Sequence, residues 1–292
     1  MRRFFVLIFP LLLACGLAAG QTDKSRELER MRIRADGGNV QAQLQLGRMY
    51  FLGDGVPKDE AEGLRWFRKA AEKGESQAER ILGLAYESGQ AGLTKDEEKA
   101  AYWFRKAADH GDEQGQIKLA EMYESGRGGL PKDGVEALRL YRRLANKGDA
   151  AAQNKIGDLY EFGRADLPKD EVQALYWYRK AADQGDVLAL TNAARICLTS
   201  RNPDVRNPMA GLNYARQAVN AKRGDPELLR TLAQAYYTEG QFEDAIQTQL
   251  EALSLAPAYR KAEYQRDLEE YQRTWQHSKT LDKGSLGPWQ TK

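Results

Sequence analysis

The sequence predicts an all-α fold in which pairs of helices stack into a solenoid. Two nearly identical decapeptides, YWFRKAADHG at 102–111 and YWYRKAADQG at 176–185, indicate an internal repeat. The length of the unit follows from glycines that recur every 37 residues, at Gly74, Gly111, Gly148 and Gly185. Apolar residues within each unit recur every three or four positions, as they do on one face of a helix. Repeats of this length are typical of stacked helical architectures.

The composition is that of a folded chain with little net charge. Of the 292 residues, 42% are hydrophobic and 29% are charged, and only 9 are proline. The formal net charge is +2, and Arg2 and Arg3 supply that excess. A chain that begins near Gln21 is therefore close to neutral. Because binding to phosphates needs a concentrated basic surface, nucleic acid is disfavoured as a main partner.

Residues 1–20, MRRFFVLIFPLLLACGLAAG, have the layout of a secretory signal peptide. Arg2 and Arg3 precede an uncharged apolar core at 4–13, which small residues follow. This order is typical of export signals, and the apolar core is too short for an ordinary bilayer span. We therefore expect export, either to the periplasm or to the outer membrane as a lipoprotein.

Two cleavage sites fit this segment. LLAC at 12–15 resembles a bacterial lipobox, in which Cys15 becomes the lipidated first residue and supplies a lipid anchor as the chain's contact with a membrane. AAG at 18–20 suits ordinary signal peptidase, which leaves Gln21 as the first residue. The other cysteine is Cys197. With Cys15 lipidated or removed, no intramolecular disulfide is expected, and stability must come from apolar packing.

Each repeat unit is predicted to form two helices. In the first half of the first unit, Ala42, Leu46 and Tyr50 are four residues apart and share one helix face. Small residues such as Gly47 let neighbouring helices approach closely, and large ones such as Trp66 fill the gaps between them. A turn rich in Gly, Pro and Lys-Asp separates the two halves. The repeated decapeptide is therefore a packing unit and not a duplicated active site.

The repeat columns resemble a known family. The pattern A-x-x-x-L-G-x-x-Y-x-x-G-x-G-V-x-x-D, followed by A-x-x-W-x-x-K-A-A-x-x-G, is similar to Sel1-like repeats, which are relatives of the tetratricopeptide repeat. The resemblance implies a right-handed α-α superhelix with a concave surface lined by the first helix of each unit. A degenerate fifth unit has Cys197 in place of the tyrosine. The five units cover 39–74, 75–111, 112–148, 149–185 and 186–224.

The segment at 225–257 resembles an ordinary tetratricopeptide repeat. Gln249 departs from that family's usual aromatic residue, and we expect looser packing there. The residues that match the family's positions are Leu229, Leu232, Ala233, Tyr236, Gly240, Ala245, Ala252 and Pro257.

Helices are expected to cap both ends of the array, since terminal repeats need a polar outer face. The helix predicted at 23–38 places Leu28, Met31 and Ala35 against the first repeat. The residues at 279–292 are predicted to form a flexible tail. The second capping helix, predicted at 258–278, has one apolar stripe made of Tyr264, Leu268, Tyr271 and Trp275.

Candidate chemistry is scarce in this sequence. It has two histidines, His110 and His277, which fall in different elements. His110 occupies a column that holds Lys or Gln in the other repeats, so we expect it to be solvated. Cys197 occupies a packing column and is predicted to be an inert thiol. With so few His and Cys ligands we expect no metal, no cofactor and no catalytic site, and hence no enzyme.

Columns that vary between repeats are the candidates for binding a partner. On the first helices they include carboxylates three residues apart, which lie on the same side of a helix. We predict an acidic stripe suited to a basic peptide or loop of a protein partner, with a solvated helix face as the alternative. The acidic candidates are Glu87, Glu121, Glu124, Asp158 and Glu161, and the apolar candidates are Phe51 and Leu84.

Two functions follow from the resemblance together with the expected export. The first is a non-enzymatic scaffold or adaptor in the bacterial cell envelope, which binds a protein segment along its helices. The second is a periplasmic protein that binds peptidoglycan or another glycan, or that helps to assemble an exopolysaccharide machine. The material that co-purifies from envelope extracts, protein or glycan, distinguishes the two.

Overall fold

The structure, a computed structural model, describes residues 26–285, with side chains as far as Thr280. The predicted signal peptide with Cys15, the alternative first residue Gln21, and residues 286–292 lie outside the described residues. Every regular element within 26–285 is helical, so the predicted all-α fold is confirmed. The chain divides into two compact units, Met1–Asp133 and Gly134–Lys292.

The first unit is a series of helices that pack on their neighbours in the chain. We call the first and second helix of each repeat the A helix and the B helix. The A helices α2, α4 and α6 alternate with the B helices α3 and α5, and each packs on the next. Their bounds are 26–36 for α1, Val40–Leu52 for α2, Glu60–Ala71 for α3, Ser76–Ser88 for α4, Glu97–Asp109 for α5 and Glu113–Ser125 for α6.

The second unit continues the same alternation and ends in a long helix. Its B helices are α7, α9, α11 and α13, its A helices are α8, α10 and α12, and α14 packs on α13. The bounds are Gly134–Ala145 for α7, Ala150–Phe162 for α8, Glu171–Ala182 for α9, Val187–Thr199 for α10, Pro208–Ala221 for α11, Pro226–Thr238 for α12, Phe242–Leu255 for α13 and Lys261–Ser285 for α14.

Helix α14 corrects one prediction. It continues to Ser285, whereas the sequence led us to expect a tail from residue 279. No proline interrupts the segment before Pro288, so nothing in the backbone stops the helix at 278. The pair α12 and α13 falls within 225–257, where a tetratricopeptide repeat was predicted, and that assignment stays a prediction.

The turn residues of the repeat start and stop the helices. The aspartate of the Lys-Asp pair is an N-cap in three of the repeats: the side chain of Asp59 accepts a hydrogen bond from the Glu62 backbone N–H, that of Asp96 from Lys99, and that of Asp170 from Gln173. The A helix α2 ends at Gly53, whose φ of 78° is left-handed and favours glycine. The sequence motif GDGVPKD therefore encodes both ends of the connection.

Close approach between A and B helices depends on the glycine of the Leu-Gly pair. A Cβ atom on Gly47 would lie 2.5 Å from the ring of Phe67, and one on Gly83 would lie 2.6 Å from Phe104. The aromatic ring therefore lies directly on the backbone of the A helix, as the small-residue columns predicted.

The two aromatic columns of the B helices differ in depth. Phe104 is fully buried, whereas the preceding Trp103 is half-buried. Trp66 and Trp177 are buried. The Phe/Tyr column that contains Phe104 lies against the glycine of the A helix in its own pair, whereas Trp66 packs with Ala35 and Ala42. The column after the tryptophan is therefore the deepest part of the core.

The predicted caps pack as expected. Leu28 and Met31 of α1 join the cluster formed by Ala42 and Trp66 of the first repeat. In the other unit, Tyr264, Leu268 and Tyr271 of α14 are buried, and Trp275 is half-buried.

Gln249 does not loosen the packing, although the sequence led us to expect that it would. It is fully buried, and its Nε2 donates a hydrogen bond of 2.8 Å to the Tyr264 carbonyl. The amide therefore joins α13 to α14, where an aromatic ring would have made only apolar contacts.

Candidate functional site

The A helices of the first unit carry five of the predicted partner-binding residues. Phe51 is half-buried on α2, and its ring lies 6.1 Å from that of Phe67. Leu84, on α4, is also half-buried. Both apolar side chains therefore contribute to helix packing and keep part of their surface in contact with solvent. The carboxylates of this unit are Glu87 on α4 and Glu121 and Glu124 on α6.

Basic side chains of the same unit neutralise part of this acidic group. Lys118 Nζ lies 3.5 Å from Glu87 Oε2 and 3.5 Å from Glu121 Oε2. Arg127 Nη1 lies 3.6 Å from Glu87 Oε1. These ion pairs are partly exposed, so each contributes little to stability and its members can exchange partners.

In the second unit, Asp158 and Glu161 belong to a network within the protein. Glu161 is buried, and Arg195 holds it with two hydrogen bonds, of 2.5 Å to Oε1 and 2.6 Å to Oε2. The Tyr178 hydroxyl lies 2.8 Å from Glu161 Oε2 and 2.8 Å from Asp158 Oδ1. Asn192 Nδ2 lies 3.4 Å from the same Asp158 oxygen. These two carboxylates join α8 to α9 and α10.

The environment of this network shifts its protonation equilibria. Burial raises the pKa of Asp158 above its ordinary value, against the opposing hydrogen bond from Tyr178. The hydrogen bond to Glu161 raises the pKa of Arg195, and burial raises that of Tyr178. Sequence analysis missed both partners. One signal was present, because Tyr178 adds a hydroxyl to a column that holds Phe67 and Phe104 in earlier repeats.

The B helices repeat a basic pair, such as Arg68-Lys69 and Arg105-Lys106, and its arginine has a structural role. The arginine reaches the tyrosine that recurs in each A helix: Arg68 donates to the Tyr86 hydroxyl at 3.0 Å. The equivalent bonds are Arg32 to Tyr50, Arg105 to Tyr123 at 2.8 Å and, in the second unit, Arg142 to Tyr160 at 2.9 Å.

The second repeat has a buried carboxylate where other repeats have an amide. Gln43, Gln116 and Gln153 are buried and donate to a backbone carbonyl eight residues upstream. Glu79 takes this place and is fully buried. Its Oε2 lies 2.7 Å from His110 Nδ1, and Lys106 Nζ is 3.6 Å from Oε1. We had expected His110 to be solvated. Its ring instead lies against a buried carboxylate.

The remaining candidate groups in residues 26–280 are metal ligands and the Cys197 thiol. No group of three or more His, Cys, Asp or Glu side chains in this range is arranged to hold a metal ion. Cys197 is buried as predicted, and burial raises the pKa of its thiol to about 11. No helix in the described part of the chain has the length and apolar character to cross a membrane.

The family model for the Sel1 repeat matches residues 40–75, 76–112, 114–149 and 150–186. A protective antigen present in uropathogenic Escherichia coli strains, which displays an SLR fold, is 30% identical with a TM-score of 0.65, over 83% of this chain and 56% of that one. A Sel1 repeat protein from Oxalobacter formigenes is 35% identical with a TM-score of 0.55, over 68% of this chain and 80% of that one.

A curated relative shares a shorter region. The ERAD-associated E3 ubiquitin-protein ligase component HRD3A of Arabidopsis thaliana is 29% identical over 75 residues, which are 25% of this chain and 11% of that protein. The matched region is therefore a small part of that relative. The chain spans about half of the uropathogenic antigen. Since four matched repeats cover half of its length, the chain belongs to the Sel1 repeat family.

Proposed function

We propose that this chain is an exported, non-enzymatic scaffold that binds a protein partner through its A helices in a bacterial cell envelope. The observation that carries the proposal is the run of four Sel1 repeats, because proteins built from such repeats bind protein partners and are typically non-catalytic. The curated relative is itself a component of an E3 ubiquitin-protein ligase, which fits a scaffolding use of the repeat.

The export part of the proposal is supported by residues 1–20. Two arginines, an apolar core and small residues stand in the order of a signal peptide, with Cys15 at a lipobox-like position. Mass spectrometry of the mature N-terminus tests it. A diacylglyceryl-modified Cys15 or a free end near Gln21 is expected, and an intact Met1 in a cytoplasmic fraction would contradict export.

The interaction surface that we propose lies on the A helices of the first unit. Glu87, Glu121 and Glu124 form its acidic part, and Phe51 and Leu84 its apolar part. Lys118 and Arg127 hold two of these carboxylates in partly exposed ion pairs. A basic loop of the partner can replace these cations without burying an unpaired charge. Asp158 and Glu161 lie in the second unit, where Tyr178 and Arg195 bind them. They can bind a partner only if it displaces these two side chains.

Crosslinking in the native envelope, followed by binding kinetics with the captured partner, tests this surface. Glu121→Lys with Glu124→Lys should lower the association rate and its salt dependence, because charges at the edge of an interface act mainly on association. Glu72→Lys with Asp109→Lys makes the same charge change on exposed B-helix ends and should leave the rate unchanged. Equal losses in both variants would contradict the site.

Arg142 is unsuitable for a control on the B helices, because it donates a hydrogen bond to Tyr160 and its removal perturbs packing. Recovery of glycan without stoichiometric protein in the crosslinking experiment would favour the alternative function, a glycan-binding or exopolysaccharide-assembly protein. Unchanged kinetics in the acidic variant, with a protein partner bound, would move the search to Phe51 and Leu84.

A further inference from the structure

One tyrosine hydroxyl lies between two carboxyl groups in the second unit. Tyr178 Oη is 2.8 Å from Asp158 Oδ1 and 2.8 Å from Glu161 Oε2. Both distances are those of hydrogen bonds. A tyrosine hydroxyl has a single hydrogen to donate, and an ionised carboxylate can only accept. The hydroxyl therefore satisfies one carboxylate, and the second contact requires a hydrogen from a carboxyl group that is protonated.

The partners of the two carboxyl groups decide which of them holds the proton. Both oxygens of Glu161 accept hydrogen bonds from the Arg195 guanidinium, in the two-pronged geometry that stabilises an ionised carboxylate. Among the described residues, none forms a comparable ion pair with Asp158. Its Oδ1 receives a long contact of 3.4 Å from the neutral amide of Asn192. Burial, which disfavours the charged form, raises the pKa of Asp158.

We propose that Asp158 carries a proton in the folded protein, and that this proton closes a pH-sensitive latch between α8, α9 and α10. The Asp158 carboxyl donates its hydrogen to Tyr178 Oη. The Tyr178 hydroxyl donates to Glu161 Oε2, and Arg195 donates to both oxygens of Glu161. The chain of hydrogen bonds has one donor for each contact.

Loss of the proton to solvent leaves two carboxylates and one hydroxyl hydrogen at the same place. The charged groups around Asp158 are Glu161 and Lys155 of α8, Arg164 just after it, and Arg195 of α10, with the Tyr178 hydroxyl from α9. Arg195 is already committed to Glu161, and burial of the charged form outweighs the attraction of Lys155 and Arg164, so the new charge on Asp158 is poorly compensated. Deprotonation therefore weakens the contact between Asp158 and Tyr178 and loosens α8 from its neighbours.

The sign of the pH effect follows from the raised pKa. In the unfolded chain Asp158 titrates near its ordinary value of 3.8, and in the folded protein it titrates higher. The stabilisation is fully present below the unfolded value and is lost as the pH rises through the folded value. When α8 loosens from α9 and α10, the surface of the A helices in this unit changes. Acidification should therefore favour the form in which the three helices are joined.

Carbon-13 NMR of the full chain with labelled aspartate carboxyl carbons tests the latch. The Asp158 resonance, identified by its loss in Asp158→Asn, should titrate at a higher pH in the folded protein than in the urea-unfolded chain. Tyr178→Phe removes the shared hydroxyl, so the pH at the midpoint of the Asp158 titration should change. An Asp158 resonance that titrates at the same pH in the folded protein and in the urea-unfolded chain would overturn the proposal.

Urea unfolding over the range from acid to neutral pH gives an independent readout. The unmodified protein should lose more stability than Asp158→Asn as the pH rises, because the amide stays neutral at every pH. Asp183→Asn, an exposed change in the same unit, should follow the unmodified protein. Parallel curves for the unmodified protein and Asp158→Asn would contradict the latch, and circular dichroism verifies that both variants are folded.

Discussion

The Arg105 guanidinium donates a hydrogen bond of 2.8 Å to the hydroxyl of Tyr123, eighteen residues further along the chain. The bond joins the B helix of one repeat to the A helix of the next. The same spacing joins Arg68 to Tyr86, and Arg142 to Tyr160 in the second unit. This bond explains why arginine and tyrosine recur at fixed positions in the repeat.

Tyr123→Phe should lower the free energy of unfolding by about 1 kcal/mol, since it removes one hydrogen bond and keeps the ring. Urea denaturation measures the change, and a double-mutant cycle with Arg105→Met isolates the pairwise contribution. Tyr102→Phe is the control, because Tyr102 is more than half exposed. A coupling energy of zero would mean that the Arg105–Tyr123 bond does not contribute in solution.

Phe104→Ala should destabilise the protein far more than Trp103→Ala. Phe104 is fully buried against Gly83, and large-to-small changes at such positions cost about 3–5 kcal/mol. Trp103 is half-buried, so its removal exposes less apolar surface and leaves a smaller cavity. Urea unfolding followed by circular dichroism compares the two variants. The opposite order would show that the tryptophan column is the deeper part of the core.

Glu79→Gln should stabilise the protein by about 1 kcal/mol, because a buried polar group without a hydrogen-bond partner is costly. Glu79 Oε1 is buried and has no donor within hydrogen-bond distance in the described part of the chain. A glutamine can donate to the Ala71 carbonyl, as Gln116 does to that of Ala108, and can accept from His110.

Thermal and urea unfolding measure this gain, and Glu75→Gln, a change at the partly exposed start of the same helix, is the control. A loss of stability in Glu79→Gln would show that the hydrogen bond with His110 and the charge of Lys106 stabilise the buried carboxylate more than the missing hydrogen bond costs.

Cys197 should be unreactive toward thiol reagents in the folded protein. With a pKa of about 11, only about one thiol in a thousand is ionised at pH 8, and the thiolate is the reactive form. Modification by a disulfide reagent in a Cys15→Ser chain should be slow in buffer and fast in urea. Rapid modification of the folded protein would show that the α10 junction opens readily.

The sequence by itself determined the repeat, its helices and those helix ends that a capping residue marks. These features depend on local rules: an apolar period of three to four residues marks a helix, the Lys-Asp aspartate caps it, and a left-handed glycine ends it. The packing between neighbouring helices then recurs in every repeat. Columns such as Gly47 with Phe67 are therefore visible in the sequence as small and large residues at constant spacing.

Only the tertiary structure decided which polar groups meet. Asp158 and Glu161 looked like a solvated or partner-binding pair, yet Tyr178 and Arg195, on two other helices, bind them. His110 looked like a surface residue, yet it lies 2.7 Å from the buried Glu79, 31 positions earlier. Helical periodicity predicts the face on which a side chain lies. It does not predict the partner from the next helix, because that depends on how closely and at what level the two helices pack, and a shift of a few ångströms separates a hydrogen bond from a solvated charge.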